Sequence, residues 1–85
     1  MVVAYVLIRV NSGKEDEVLA TVERRGEVKE AGITYGAYDL VAKVEVGSPE
    51  ELDTFIFDVL RRIPEVNETT TLITSRMETG SEPEQ

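Results

Sequence analysis

Val2-Val3-Ala4-Tyr5-Val6-Leu7-Ile8-Arg9-Val10 is the stretch from which the fold is read. It is β-branched and aromatic, and both of its alternating sets are apolar. Tyr5 and Leu7 fall on one side, and Val6, Ile8 and Val10 on the other. A strand apolar on both faces belongs at the centre of a sheet that is covered on both sides. Asn11-Ser12-Gly13 punctuates it, and the rest of the chain must supply the neighbours and the cover.

Downstream, Ser12 followed by Glu15 has the spacing of a capping box, which opens a helix bearing Val18, Leu19 and Val22 on one face. Gly26 is placed to end that helix in a left-handed C′ conformation. Val28–Tyr35 reads as a weaker strand interrupted by Gly32. Gly36-Ala37 then turns the chain into Tyr38–Val46, which alternates cleanly. Leu40, Ala42, Val44 and Val46 share one face there, with Asp39, Val41, Lys43 and Glu45 on the other.

A second helix opens at Ser48-Pro49-Glu50-Glu51, with Ser at N-cap and Pro at N1. Leu52, Phe55, Ile56, Val59, Leu60 and Ile63 form a stripe at helical period that Pro64 stops, while Phe57 lies off it. Val66–Ser75 is a last, Thr-rich strand. The order β-α-β-β-α-β predicts an α+β, ferredoxin-like fold: a four-stranded antiparallel sheet in the order 4-1-3-2, with two helices on one face. Residues 1–76 make the expected domain. Residues 77–85 read as a disordered acidic tail with too little apolar surface to fold.

The composition narrows the function. The 85 residues carry nine Lys and Arg against seventeen Asp and Glu, a net charge of −8, with no His, Cys or Trp. Without Cys there is no disulfide, no thiolate metal site and no thiol nucleophile. Without His, the usual general base is missing as well. The hydroxyls of four Ser and eight Thr lack that activator, and nothing resembles an EF-hand loop. The reading is therefore not an enzyme, with no catalytic residues, no metal and no cofactor.

Negative charge opposes phosphate-backbone binding, so no direct contact with nucleic acid is expected. No apolar run approaches the ~20 residues that span a bilayer, so no membrane partner is expected. Met1–Ile8 lacks a basic leader and reads as strand, and the absence of Cys fits a cytoplasmic protein. A chain this small usually needs a staple, and none is available except a partner subunit. Apolar side chains on both faces of the first strand point the same way, to dimerisation through the sheet.

Tyr35-Gly36-Ala37-Tyr38-Asp39-Leu40 stands apart and admits two readings. As a turn, Gly supplies a positive φ, Tyr pairs across strands and Asp accepts backbone N–H bonds. As a small-ligand pocket, Gly allows close backbone approach and the carboxylate suits an ammonium group.

Three groups of residues resemble the effector-binding domain of the Lrp/AsnC transcriptional regulators, the RAM domain. They are Val3–Ile8 with Ser12-Gly13-Lys14-Glu15; Tyr35–Val44; and Arg62-Ile63-Pro64-Glu65-Val66 with Thr69-Thr70-Thr71-Leu72-Ile73. The resemblance covers about residues 2–75, and its most specific piece is the Gly-x-Tyr-Asp turn. It implies a dimeric α+β barrel, dimers assembling into rings of up to eight subunits, and free amino acids as effectors.

Carried over, the turn supplies Tyr35, Gly36, Tyr38 and Asp39 as ligand-binding residues, and the last strand supplies Thr69 and Thr71. The family's helix-turn-helix domain is not in this sequence, and Glu65 stands where the family commonly has Gly. The resemblance thus implies a stand-alone amino-acid-binding module that modulates transcription through related regulators, including hetero-assembly with a DNA-binding relative. The alternative is a small dimeric α+β barrel enzyme, a cofactor-free monooxygenase or isomerase, because the same topology hosts both. A purely structural assembly subunit is a third reading.

Overall fold

The computed structural model describes residues 1–80. Its elements are β1 (Val2–Val10), α1 (Glu15–Val22), β2 (Val28–Ile33), β3 (Leu40–Val46), α2 (Pro49–Thr54) and β4 (Val66–Ile73). The strands form one antiparallel sheet in the order β2-β3-β1-β4, so the two most apolar strands are its centre. The ferredoxin-like α+β expectation holds in element order, strand order and pairing.

The central register sets Ala4 opposite Val44, Val6 opposite Ala42 and Ile8 opposite Leu40. These six side chains are wholly buried, and they meet Val18 and Val22 of α1 and Leu52, Phe55, Ile56 and Leu60 of the second helical region. One core therefore lies between the sheet and the helices. Burying each large aliphatic or aromatic side chain there contributes about 1.5–3 kcal/mol. The other sheet face carries Val3, Tyr5 and Leu7 of β1 with Val41, Lys43 and Glu45 of β3, all only half-buried.

Several local expectations are corrected. Ser12 does not cap α1. Gly13 has φ +82°, the chain makes a turn in which Lys14 N–H donates to Asn11 O, and the helix starts at Glu15 with Lys14 at its N-cap. Gly26 does not end α1 in a left-handed conformation either. The helix stops at Val22, and tight turns from Arg25 N–H to Val22 O and Val28 N–H to Arg25 O carry the chain onward.

The irregularity in β2 falls at Lys29, where the pairing shifts between Val28 and Glu30, while Gly32 sits in register opposite Val41. The hairpin loop is longer than Gly36-Ala37, because β2 ends at Ile33 and β3 begins at Leu40. The last strand closes at Ile73 rather than Ser75.

The second helix is not one continuous α-helix. After α2 the chain runs through a π-helical segment, Phe55–Val59, and a short 3-10 turn, Leu60–Arg62. Ser48 caps as expected, its Oγ accepting from Glu51 N–H at 3.2 Å, while Glu51 Oε1 accepts from Gly47 N–H at 2.9 Å. Phe55 and Leu60 are both fully buried. In a regular α-helix residues five apart lie about 140° apart, which would set these two at opposite margins of the apolar stripe. The Leu60 N–H to Phe55 O bond closes a wider turn and brings the two onto the same side. The tail expected over 77–85 falls outside the described residues from Ser81 onward.

Candidate functional site

The loop between β2 and β3, residues 34–39, lies beside the C-terminal end of β1. Asp39 fixes it there in three ways. Its backbone N–H donates to Ile8 O at 2.9 Å, its carbonyl accepts from Thr34 N–H at 2.9 Å, and its carboxylate Oδ2 accepts from Val10 N–H at 2.9 Å. The side-chain bond meets a backbone donor where the β1 ladder runs out, which is what a turn carboxylate does best. Thr34 Oγ1 closes the loop by donating to Tyr38 O at 2.8 Å. Gly36 takes φ +108°, the left-handed region that glycine enters without steric cost.

Tyr38 leaves the loop toward the uncovered sheet face. Its hydroxyl shares a 2.8 Å hydrogen bond with Thr70 Oγ1, and the Arg9 guanidinium lies 5.3 Å from its ring centroid. Arg9 Nε in turn pairs with Glu68 Oε1 at 3.3 Å, directly across β1 and β4. Arg9 and Glu68 are half-exposed, so the pair itself contributes at most about 1 kcal/mol. Cation, ring, hydroxyl and carboxylate nonetheless form one line of polar groups on that face. Such a set can take a small ligand carrying both signs of charge.

Of the residues named from sequence, Tyr38 and Asp39 are held firmly, whereas Tyr35 and Gly36 stand exposed at the loop tip. Thr69 and Thr71 do not join Tyr38. They pair with Ile8 and Val6, which places them on the helix-covered face. Thr70, between them, shares the outer face with Leu7. Arg9, Glu68 and Thr70 were missed in the sequence reading. Alternation along β4 separates Thr70 from its neighbours, but only the β1–β4 register says which set faces Tyr38.

A broad open recess of ≈ 800 Å³ lies at the other end of the sheet, lined by Arg24, Arg25, Gly26, Lys29, Val46 and Glu51 among others. Its size does not make it the better site: Glu51 is engaged with Gly47 N–H and Arg25 with Glu27 at 3.6 Å. Among the described residues, no cluster of three or more Asp and Glu is arranged to hold a metal, and no helix is long and apolar enough to cross a membrane.

Comparison with known proteins gives a consistent picture. The family model for the Lrp/AsnC ligand binding domain matches residues 3–80. The transcriptional regulator FL11 of Pyrococcus abyssi is 40% identical over 70 residues, which are 82% of this chain and 46% of that protein. The chain thus spans about half the length of the curated relatives it matches. The crystal structure of FFRP-DM1 superposes with TM-score 0.85 at 43% identity, covering 87% of this chain and 99% of that one. A regulator of Neisseria meningitidis, NMB0573, solved as an L-Met complex, shares the fold at TM-score 0.82 and 17% identity, covering 96% of this chain and 56% of that one.

Proposed function

Starting from the fact that the chain belongs to the Lrp/AsnC ligand-binding domain family, we propose that it is a non-catalytic module that senses a free amino acid. In this reading it assembles through its sheet into dimers and larger rings of up to eight subunits. It acts in the cytoplasm by changing the assembly or operator affinity of a DNA-binding relative. Residues 1–76 form the sensing domain.

The observation that supports this most is the Gly36–Asp39 turn. Its backbone is tied to the end of β1, Tyr38 is braced against Thr70, and Tyr35 with the Gly36 peptide is left open. A pre-set turn loses little entropy when a ligand docks on it. Gly36 offers close approach to the ligand's α-groups, the second oxygen of the Asp39 carboxylate takes the ammonium, and Tyr35 and Tyr38 flank it. Thr69 and Thr71, on the far side of their strand from Thr70, enter as contacts offered to a neighbouring subunit.

The test is thermal denaturation against a panel of free amino acids, followed by calorimetry on Asp39→Asn. Only a ligand that prefers the folded form raises the midpoint, so selective stabilisation is expected. Asn keeps an oxygen for Val10 N–H but removes the charge, so the fold survives while affinity drops about 10- to 150-fold, as for loss of a charged hydrogen bond. A variant that binds equally well rules out Asp39 as the ammonium partner. A flat panel combined with turnover of a small aromatic compound would favour the enzyme reading instead.

A further inference from the structure

Arg9 is a cation in contact with the candidate turn, and the way it is held leaves part of it unused. Its Nε pairs with Glu68 Oε1 at 3.3 Å, and its guanidinium carbon lies over the Tyr38 ring, 5.3 Å from the centroid. Tyr38 is itself fixed, since its hydroxyl shares a 2.8 Å hydrogen bond with Thr70 Oγ1. A guanidinium carries five N–H donors, of which Nε supplies one. The two terminal nitrogens keep the fork that meets a carboxylate bidentately. On Arg9 they make no hydrogen bond among the described residues.

Asp39 lies against the same stretch of β1. Its N–H donates to Ile8 O and its Oδ2 accepts from Val10 N–H, so it is bonded to both chain neighbours of Arg9. A cation and a carboxylate thus stand side by side at the end of β1 without engaging each other. Arg9 is paired with Glu68, and Asp39 with a backbone donor. A free α-amino acid carries its ammonium and its carboxylate on one carbon, so its two charges also stand side by side.

We propose that Arg9 reads the α-carboxylate of the effector while Asp39 takes the ammonium, so that the site selects zwitterionic amino acids over amines and amides. The proposal rests on the amino-acid-sensing reading above and names the group that gives it selectivity. Glu68 and Tyr38 are positioning residues in it and act through Arg9. With one nitrogen and one side of the guanidinium already held, less side-chain freedom is lost when the carboxylate docks.

The charge of the chain makes such a reader necessary. At net −8 the protein attracts ammonium groups of every kind, and Asp39 alone would take an amine as readily as an amino acid. A guanidinium beside it offers the α-carboxylate a forked pair of charge-assisted bonds, which a neutral amide oxygen matches only weakly. Charged hydrogen bonds of this kind correspond to about 10- to 150-fold in affinity. Arg9 is half-exposed and its field is screened by water, so the lower end, about 10-fold, is expected here.

The test is calorimetry on the full chain with the proteinogenic amino acids and their α-amides, in which ammonium and side chain remain and the carboxylate charge is gone. The wild-type chain should bind its preferred acid about 10-fold more tightly than the matching amide. Arg9→Gln should bring that ratio close to one while leaving amide affinity unchanged, a result that a merely structural Arg9 would not give. Glu68→Gln should lower the ratio by a smaller factor, because the charge stays and only its placement loosens. On the wild-type chain, the Arg9 Nε–H resonance should shift on adding the acid and stay in place on adding the amide. A ratio unchanged in Arg9→Gln overturns the proposal and leaves the sensing reading standing, as does equal wild-type affinity for acid and amide. Binding of no amino acid overturns both. Should Arg9→Gln fail to fold, an Arg9 resonance indifferent to the acid overturns the proposal.

Discussion

The two faces of the sheet are made from alternate residues of the same strands, and they end in different environments. Ala4, Val6 and Ile8 of β1 with Leu40, Ala42 and Val44 of β3 are sealed beneath the helices, each at 0% exposure. Their immediate neighbours Tyr5, Leu7, Val41 and Lys43 are half-buried, covered only by one another. In β1 both sets are apolar, so hydropathy alone does not say which face the helices take. The helices decide it. Leu52, Phe55, Ile56 and Leu60 form a stripe that must be buried, and the connections put both helical regions on one side. The remaining apolar face has no cover within one chain, and it is the face that the proposed dimer would bury.

The sharpest way to break this comparison is a matched pair of truncations one residue apart. Ile8→Ala should cost about 2–5 kcal/mol in urea denaturation, whatever the protein concentration, because it opens a cavity in the sealed core. Leu7→Ala should lose stability in a concentration-dependent manner, through the dimer. If Ile8→Ala proves nearly silent, or the two losses respond alike to dilution, the two faces are not energetically distinct.

A smaller effect is expected at the polar end of the open face. Tyr38→Phe removes the hydroxyl that meets Thr70 and should cost about 0.5–1.5 kcal/mol by denaturation. Thr70→Val made on top of it should add little, since the shared bond is already gone. Fully additive losses would show that the brace between hairpin and β4 carries no energy of its own.

The smallest effect on the fold is expected outside both layers. Phe57 is 55% exposed, with the Arg61 guanidinium 5.4 Å from its ring centroid. Phe57→Lys should change stability by less than about 0.5 kcal/mol, as for an exposed site. It is expected to shrink any assembly beyond the dimer on a sizing column. An unchanged mass removes this helix surface as a contact between subunits.

Element order, strand order and the central pair of strands were legible in the sequence, because hydrophobic periodicity and turn residues are local signals. Ser48-Pro49 was legible for the same reason: the cap needs only residues three apart. Ser12 misled because a serine before a helix is only permissive, and the left-handed Gly13 moved the helix start past it. The π-helical segment was invisible, since the same spacing of apolar residues suits a regular helix and the wider turn between Phe55 and Leu60 shows only in the packed structure. The turn at Gly36 and Asp39 was found by residue type. Its anchor on Val10 N–H, 29 residues away in the chain, was not.

The sequence by itself determined that this is a small acidic α+β domain, with β1 and β3 at its centre and a chemically distinctive hairpin turn. Those properties follow from residue type and spacing along the chain. Only the tertiary structure decided that Thr70 rather than Thr69 or Thr71 meets Tyr38, and that Arg9 and Glu68 share its face. Each of these depends on strand register, and a slip of one residue exchanges every side chain between the faces, a choice fixed only when the whole sheet packs.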